Sequence, residues 1–564
     1  MSDPRRMLVC EALAHDIKKL GVEAVFGLMS DDTAVFVSTL DAIGVRFYGT
    51  RHENNACSMA EGYAAATGRL GVAVVGRGPA TANALHGITY AQRTGSRVLL
   101  ITGEASTVAA VPNGMGPDTK TFNGVAVLQA AGLRCFVATD PASARRTLAQ
   151  AVASTAQGAT ALLLPTNVQL AEIDFDDAMP PRAAPAALAP APRPARASAV
   201  QAAAALLVAA RRPLIVAGVG AYRSGAREVI EQLADRIGAV LATTLKAKEM
   251  FSAHAYNAGV VGSFSHAAGR RCMDQADCIL AIGAGLNLRT TSFGLALPKD
   301  APLIQVDADR SHIGRWHHAD VALVGDARLA VQQLLAALPE RPADCKLFHD
   351  AATRQHLAGH DLASEFQPAH TPRTMDPRSL ALALSRLLPA DRNIVYDAGN
   401  FIQIAAFVSV PGPGHIKQAS DFASISMGFG TAMGFAVGKP DRPTVLFIGD
   451  GGFMMSMNEL ETVVREDIPL IIVVMNDCAF GAEVHHLRLR NRPTAKAQFP
   501  DVDLAPVAQA FGFQTATVRT LAELEALAPM LRNPSGPILL DCKINGNLPA
   551  PFLLEGYGNE FKRG

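Results

Sequence analysis

Tryptophan occurs once in 564 residues, and aromatic residues make up only 6% of the chain. Cysteine occurs eight times, at positions 10, 57, 135, 272, 278, 345, 478 and 542, and no two of these form a CxxC pair. That scatter argues against a zinc ribbon and against a disulfide framework. Net charge is absent too, since 51 basic residues balance 51 acidic ones. Without a basic field there is no electrostatic footprint for nucleic acid or an anionic membrane. No apolar run approaches the roughly 20 residues that span a bilayer. The opening MSDPRRMLVCEALAHDIKKLG is amphipathic and lacks the continuous apolar core of a secretory signal. These absences leave a reduced, cytoplasmic enzyme as the expectation.

What is present is enough to bury large cores: hydrophobic residues are 49% and charged residues 18%. The length exceeds what one core supports and points to three or four domains. An Ala/Pro-rich stretch, residues 175–199, reads as a semi-rigid linker. Residues 338–376, polar with His and Pro, read as a second connection. The blocks 1–174, 200–337 and 377–548 each alternate short apolar runs with helical patterns, and a tail, 549–564, follows. Strands are expected near 24–26, 72–75, 98–102 and 161–165; near 213–218, 239–243, 278–282 and 303–306; and near 393–396, 444–448, 470–475 and 538–541. Alternation of this kind is the βαβ signature, so the fold class is α/β, three domains each with a mostly parallel sheet flanked by helices.

The most informative stretch is TVLFIGDGGFMMSMNELETVVREDIPLIIVVMNDCAFG, residues 444–481. An apolar run ends at Gly449-Asp450-Gly451-Gly452, an amphipathic segment follows, and a second apolar run ends at Asn476-Asp477. This is a βαβ unit with an acid at each C-terminal strand end, the edge where open α/β sheets bind ligands. Gly451 and Gly452 let backbone N–H groups approach a phosphate. Asp450 and Asp477, one strand-to-strand repeat apart, offer hard oxygen ligands suited to Mg²⁺ held together with a diphosphate. The plain alternative makes Asp450 a helix cap and Asp477 part of an ordinary turn.

The segment resembles the cofactor motif of thiamine diphosphate (ThDP)-dependent enzymes of the acetolactate synthase and pyruvate decarboxylase superfamily, a GDG followed by Asn-Asn. Here Asp477 stands in place of the second Asn, keeping an oxygen ligand and adding charge. The resemblance implies Mg²⁺ ligands from Asp450, Asp477 and the carbonyl of Ala479, with Phe480 and Gly481 in the same cofactor turn. It covers nearly the whole chain: pyrimidine-binding, central Rossmann-like and diphosphate-binding domains. Arg51-His52-Glu53 resembles the family's glutamate motif. Glu53 is then the acid that hydrogen-bonds the pyrimidine N1′, so that the 4′-imine can deprotonate thiazolium C2. Read without the resemblance, Glu53 is a carboxylate at a helix start. The loop from Gly78 to Asn83, with Pro79 and Asn83, resembles GPGxxN. Residues 423–430 resemble the support of the bent cofactor, Ile425 as wedge and the Ala423 carbonyl accepting from the 4′-amino group. Asp397 to Asn400 resembles a further diphosphate contact through Gly399 and Asn400. Because the two half-sites lie in domains that meet across subunits in the family, a homodimer or homotetramer is implied.

The reaction class follows from the same resemblance: decarboxylation of a 2-oxo acid, with transfer of the acyl unit to an aldehyde or ketone acceptor. Simple decarboxylation to an aldehyde is one alternative, and a catalytically inactive nucleotide-binding regulator is another. Asp31 and Glu483 fall where pyruvate decarboxylase-like enzymes carry acids, and Asn123 where acetolactate synthases carry Gln. No counterpart of the decarboxylases' His pair stands near Val111 to Gly114. Otherwise Asp31 reads as a solvated loop acid and Glu483 as a helix-surface acid. Gly218-Val219-Gly220 and Gly283-Ala284-Gly285 do not complete a dinucleotide fingerprint. Residues 285–289 lack the FDDR-like pattern of FAD-binding relatives, so FAD is not expected.

Overall fold

The computed structural model describes residues 5–108, 119–176, 191–340 and 348–560, with the side chains of 557–560 excepted. Residues 177–190 of the first linker, 341–347 of the second connection, the Val111–Gly114 segment and the end of the tail therefore lie outside the described residues. Among the described residues no helix is long and apolar enough to cross a membrane.

Three six-stranded sheets, parallel throughout, organise the chain. The first has the spatial order Arg46–Gly49, Ala24–Gly27, Gly71–Val75, Val98–Glu104, Thr160–Pro165, Arg134–Val137. The third repeats that order: Ile416–Gln418, Asn393–Tyr396, Thr444–Gly449, Leu470–Asn476, Ile538–Lys543, Gln514–Val518. The middle sheet differs: Asn257–Val260, Val240–Thr243, Pro213–Ala217, Cys278–Ile282, Leu303–Asp307, Val321–Val324. Numbered along the chain this is 3-2-1-4-5-6, the order of dinucleotide-binding folds. Its switch point is filled by the protein itself. The Gly218 N–H donates to the Ile282 carbonyl at 2.9 Å and the Gly220 N–H to the Gly283 carbonyl at 3.1 Å. A Cβ on Gly218 would come within 2.2 Å of the Gly283 oxygen, so the two glycine loops are packed backbone to backbone.

The first and third domains are joined by a helix pair, Glu53–Thr67 against Met427–Gly438. Both are buried almost along their whole length, and glycine makes that possible. A Cβ on Gly62 would lie 2.1 Å from the Thr431 carbonyl oxygen, and one on Gly434 1.9 Å from that of Met59. Tyr63, Phe429 and Met433 belong to one continuous core across this junction. A short antiparallel pair, Arg5–Leu8 with Glu172–Phe175, ties the chain's start to the end of the first domain.

Candidate active site

The third sheet ends in a cavity of about 820 Å³ at its C-terminal edge. Gly449, Asp450, Gly451 and Gly452 line it where the strand Thr444–Gly449 passes into the helix Asp450–Ser456. Asp477, Ala479, Phe480, Gly481 and Glu483 line it from the neighbouring strand end. Asn476 is turned the other way and donates its amide to Asp541 at 2.8 Å, which leaves Asp477 as the residue facing Asp450. The two carboxyls lie close enough for each to perturb the other, and the Ala479 backbone N–H lies beside both. Burial pushes Asp450 up to about 6, and burial together with the Asp450 charge pushes Asp477 well above the usual carboxylate range. Two acids confined this way are a site for a cation, which relieves their repulsion.

Glycines make the floor of the cavity. A Cβ on Gly451 would meet the Phe480 ring at 2.6 Å, and one on Gly481 would meet Asp477 Oδ2 at 2.2 Å. Phe480 itself is held edge-on against Phe499, centroids 4.7 Å apart. A paired hard-oxygen donor set beside an open backbone fits Mg²⁺ with a diphosphate.

The wedge segment carries two residues in the left-handed region, Ala423 (φ 53) and Ser426 (φ 81). Conformations of this kind cost on the order of 1–3 kcal/mol each and persist only where surroundings impose them. Asp397 imposes this one. Its Oδ2 accepts the Ser426 N–H at 2.7 Å and its Oδ1 the Gly428 N–H at 2.9 Å, so the loop is pinned on both sides of the turn. Burial drives Asp397 up to about 7, against those two bonds. Ala423 and Ile425, thus presented, both line the cavity. Gly399 and Asn400 line it too; the Asn400 side chain donates to the Leu548 carbonyl (2.9 Å) and accepts from the Ala550 N–H (2.8 Å), anchoring the chain that leads into the last helix.

Opposite stand residues the sequence did not single out. Arg289 and Phe293, beyond the end of the middle-sheet strand Cys278–Ile282, line the cavity with Phe552 and Leu553 of the helix Pro551–Glu560. The Arg289 guanidinium lies 4.2 Å from the Phe552 ring centroid. In the sequence Arg289 stands only in the stretch that lacks the FAD pattern; its position after a strand on the ligand-binding edge is the signal that marks it.

The remaining candidates lie elsewhere in the chain. Glu53 is buried at the first position of its helix, and its Oε2 accepts from Asn83 at 3.1 Å. Asn83 belongs to the helix that starts at Pro79, after Gly78 in the left-handed region (φ 63). None of Glu53, Pro79 and Asn83 lines the cavity. Asp31 is exposed, and its bonds to Lys120 and Ser30 hold its carboxyl well below the usual range. Asn123 caps the helix Gly124–Ala130 by accepting the Ala126 N–H at 3.0 Å. The cavity therefore gathers residues of the third domain and the Arg289 wall, while Glu53, Pro79, Asn83, Asp31 and Asn123 lie outside its lining.

Comparison with known proteins gives the chain a family. Residues 7–123, 200–334 and 397–542 match the N-terminal TPP-binding, central and C-terminal TPP-binding domains of thiamine pyrophosphate enzymes. A probable 2-ketoarginine decarboxylase of Pseudomonas aeruginosa is 30% identical over 85% of this chain and 84% of its own. The chain belongs to the thiamine diphosphate enzyme family. Further relatives in this family are a sulfoacetaldehyde acetyltransferase of Alcaligenes xylosoxydans xylosoxydans, 27% identical over 93% of this chain and 90% of its own, and a probable acetolactate synthase large subunit of Methanocaldococcus jannaschii, 26% identical over 97% and 93%.

Proposed function

We propose that this protein is a ThDP- and Mg²⁺-dependent enzyme that decarboxylates a 2-oxo acid and passes the acyl unit to a carbonyl acceptor. The observation that carries the reading is the cavity, where the paired acids, the glycine floor and the pinned wedge face a wall bearing Arg289. Asp450, Asp477 and the Ala479 carbonyl would hold the metal, and Gly451 and Gly452 would offer backbone N–H groups to the diphosphate. Ile425 and the Ala423 carbonyl would hold the cofactor from the pinned loop. When bound, ThDP supplies the electron sink on which a 2-oxo acid loses CO₂.

Arg289 orients the substrate carboxylate by a charge-assisted bond. Phe293, Phe552 and Leu553 keep water from the reacting carbon. Glu483, on the wall, is placed to hold or give a proton as product forms. Glu53 of a second copy carries the proton shared with the pyrimidine, so the active unit is at least a dimer. Asp31 and Asn123, on the Glu53 side, belong to the partner's contribution.

A second reading, release of a free aldehyde, is favoured by the likeness to the probable 2-ketoarginine decarboxylase. Screening 2-oxo acids for CO₂ release, with product analysis with and without an added aldehyde, separates the two. Hydroxy ketone formed only with the acceptor supports ligation. Aldehyde in both cases supports the second reading, and no CO₂ from any 2-oxo acid would leave the inactive regulator.

A further inference from the structure

Away from the cavity, the segment after the second connection packs on the middle domain through histidines. His266 caps the helix Ala267–Asp274, its Nδ1 accepting the Gly269 N–H at 3.0 Å. His360 follows the helix Ala351–Ala358, and Glu365 ends the turn Leu362–Glu365 with Oε1 accepting the Ala267 N–H at 2.7 Å. One ligand atom from each of His266, His360 and Glu365 lies within 4.8 Å of the others.

The geometry within this cluster is unusual for hydrogen bonding. His360 Nε2 is 2.8 Å from Glu365 Oε1, yet this buried nitrogen makes no hydrogen bond. Two ligands that each sit about 2.1 Å from one tetrahedral ion are roughly 3.4 Å apart, so the 2.8 Å separation of His360 and Glu365 opens slightly as both turn to the ion. Nearby His356 has a second buried, unpartnered Nε2.

We propose that His266, His360 and Glu365 bind a divalent transition metal ion of the zinc type, distinct from the Mg²⁺ of the cofactor. Two imidazoles with one carboxylate select such an ion over Mg²⁺ or Ca²⁺, which take oxygen ligands. The fourth position is left to water or His356. One adjustment accompanies loading. The His266 and His360 rings are stacked, centroids 4.5 Å apart and planes 19° from parallel, and an ion lies in the plane of each ring that binds it. His266 therefore turns about Cβ–Cγ and gives up its bond to Gly269. The metal closes a tie between residues 360–365 and the loop before the helix Ala267–Asp274. That loop reaches the cavity wall: the Ser263 N–H donates to the Arg289 carbonyl at 3.0 Å, and Ser263 Oγ donates to Glu555 of the last helix at 2.6 Å.

The test is titration of the chelator-treated full-length protein with Zn²⁺ in excess Mg²⁺, followed by calorimetry, and with Co²⁺, followed by visible absorption. One Zn²⁺ per chain is expected, with a Co²⁺ spectrum of nitrogen and oxygen ligands. His360→Ala and Glu365→Gln each weaken Zn²⁺ binding roughly tenfold or more, while ThDP with Mg²⁺ still raises their melting temperature. His266→Asn keeps an acceptor for Gly269, so it loses the ligand without losing the cap, and it weakens Zn²⁺ in the same way. Absence of stoichiometric Zn²⁺ binding, or unchanged binding in folded His360→Ala and Glu365→Gln, overturns the proposal. None of these readouts depends on which reaction the cavity carries out.

Discussion

Asp477 faces Asp450 on the cavity lining, and burial raises both acids above the ordinary carboxylate range. Each therefore binds its proton more tightly in the folded than in the unfolded chain. The pair's contribution to stability is complete below the unfolded value, near 3.8, and is lost as pH rises through about 6. In metal-free protein the melting temperature is expected to carry a falling component across that window, which saturating Mg²⁺ flattens by stabilising the ionised pair. Asp477→Asn removes one carboxylate and should remove most of the component while weakening Mg²⁺ binding. An identical pH profile in Asp477→Asn would sink the account of a shared-proton pair.

Asp397 acts at one remove from the ligand. It accepts two N–H groups, from Ser426 and Gly428, and Asn in its place has one oxygen acceptor and must turn an NH₂ toward the other donor. Asp397→Asn is expected to cost about 1–3 kcal/mol of stability. It should weaken ThDP binding more than Mg²⁺ binding, because the pinned loop carries Ile425 and the Ala423 carbonyl and not the metal ligands. Calorimetric titration of each ligand separately checks this. Equal loss for both would assign Asp397 to general stability alone.

How much of this was legible in the sequence follows from burial. The twelve expected strands are the four inner strands of each sheet, matched within a residue or two. The six further strands of these sheets, beginning at Arg46, Arg134, Asn257, Val321, Ile416 and Gln514, are the two edges of each, and the antiparallel pair Arg5–Leu8 and Glu172–Phe175 stands outside the expected set as well. Inner strands such as Leu470–Asn476 are buried at every position and read as apolar runs. Edge strands such as Arg134–Val137, half-buried throughout, give neither an unbroken run nor a clean alternation. The site divides the same way. Residues contiguous with a glycine-rich turn, such as Asp450 and Asp477, were readable because one motif holds them. Arg289 and Phe552 are brought together only by tertiary packing, at separations no local pattern encodes. Asn123 accepts the Ala126 N–H and Asp31 pairs with the Lys120 side chain, partners that the sequence could not display.

Arg289 is expected to act on substrate binding. Its carbonyl is held by Ser263 and its guanidinium lies against Phe552, so the side chain is positioned on the cavity wall. Arg289→Met keeps much of the length and apolar contact while removing the charge. KM for a 2-oxo acid should rise roughly tenfold or more, with a smaller change in kcat and none in ThDP affinity. If kcat falls with KM unchanged, Arg289 acts on the chemical step instead of holding the carboxylate.

Glu53 does not line the cavity that Asp450 lines. Glu53→Gln keeps the size and the acceptor for Asn83 but cannot share a proton in the same way, and turnover should fall by about 10²–10⁴. Cofactor binding, read as a ThDP-dependent thermal shift, should persist. Asp450→Ala should lose activity by losing the metal. If each active site joins Glu53 of one copy to Asp450 of another, a mixed dimer of the two variants contains one intact site and one doubly defective site. Unfolding and refolding an equal mixture should then restore about a quarter of wild-type activity, because half the dimers are mixed and each has one working site. Chains that complete their sites alone recover nothing on mixing, since every chain carries a lesion. Recovery near a quarter, with neither variant active by itself, places the two acids in one reaction centre across the interface.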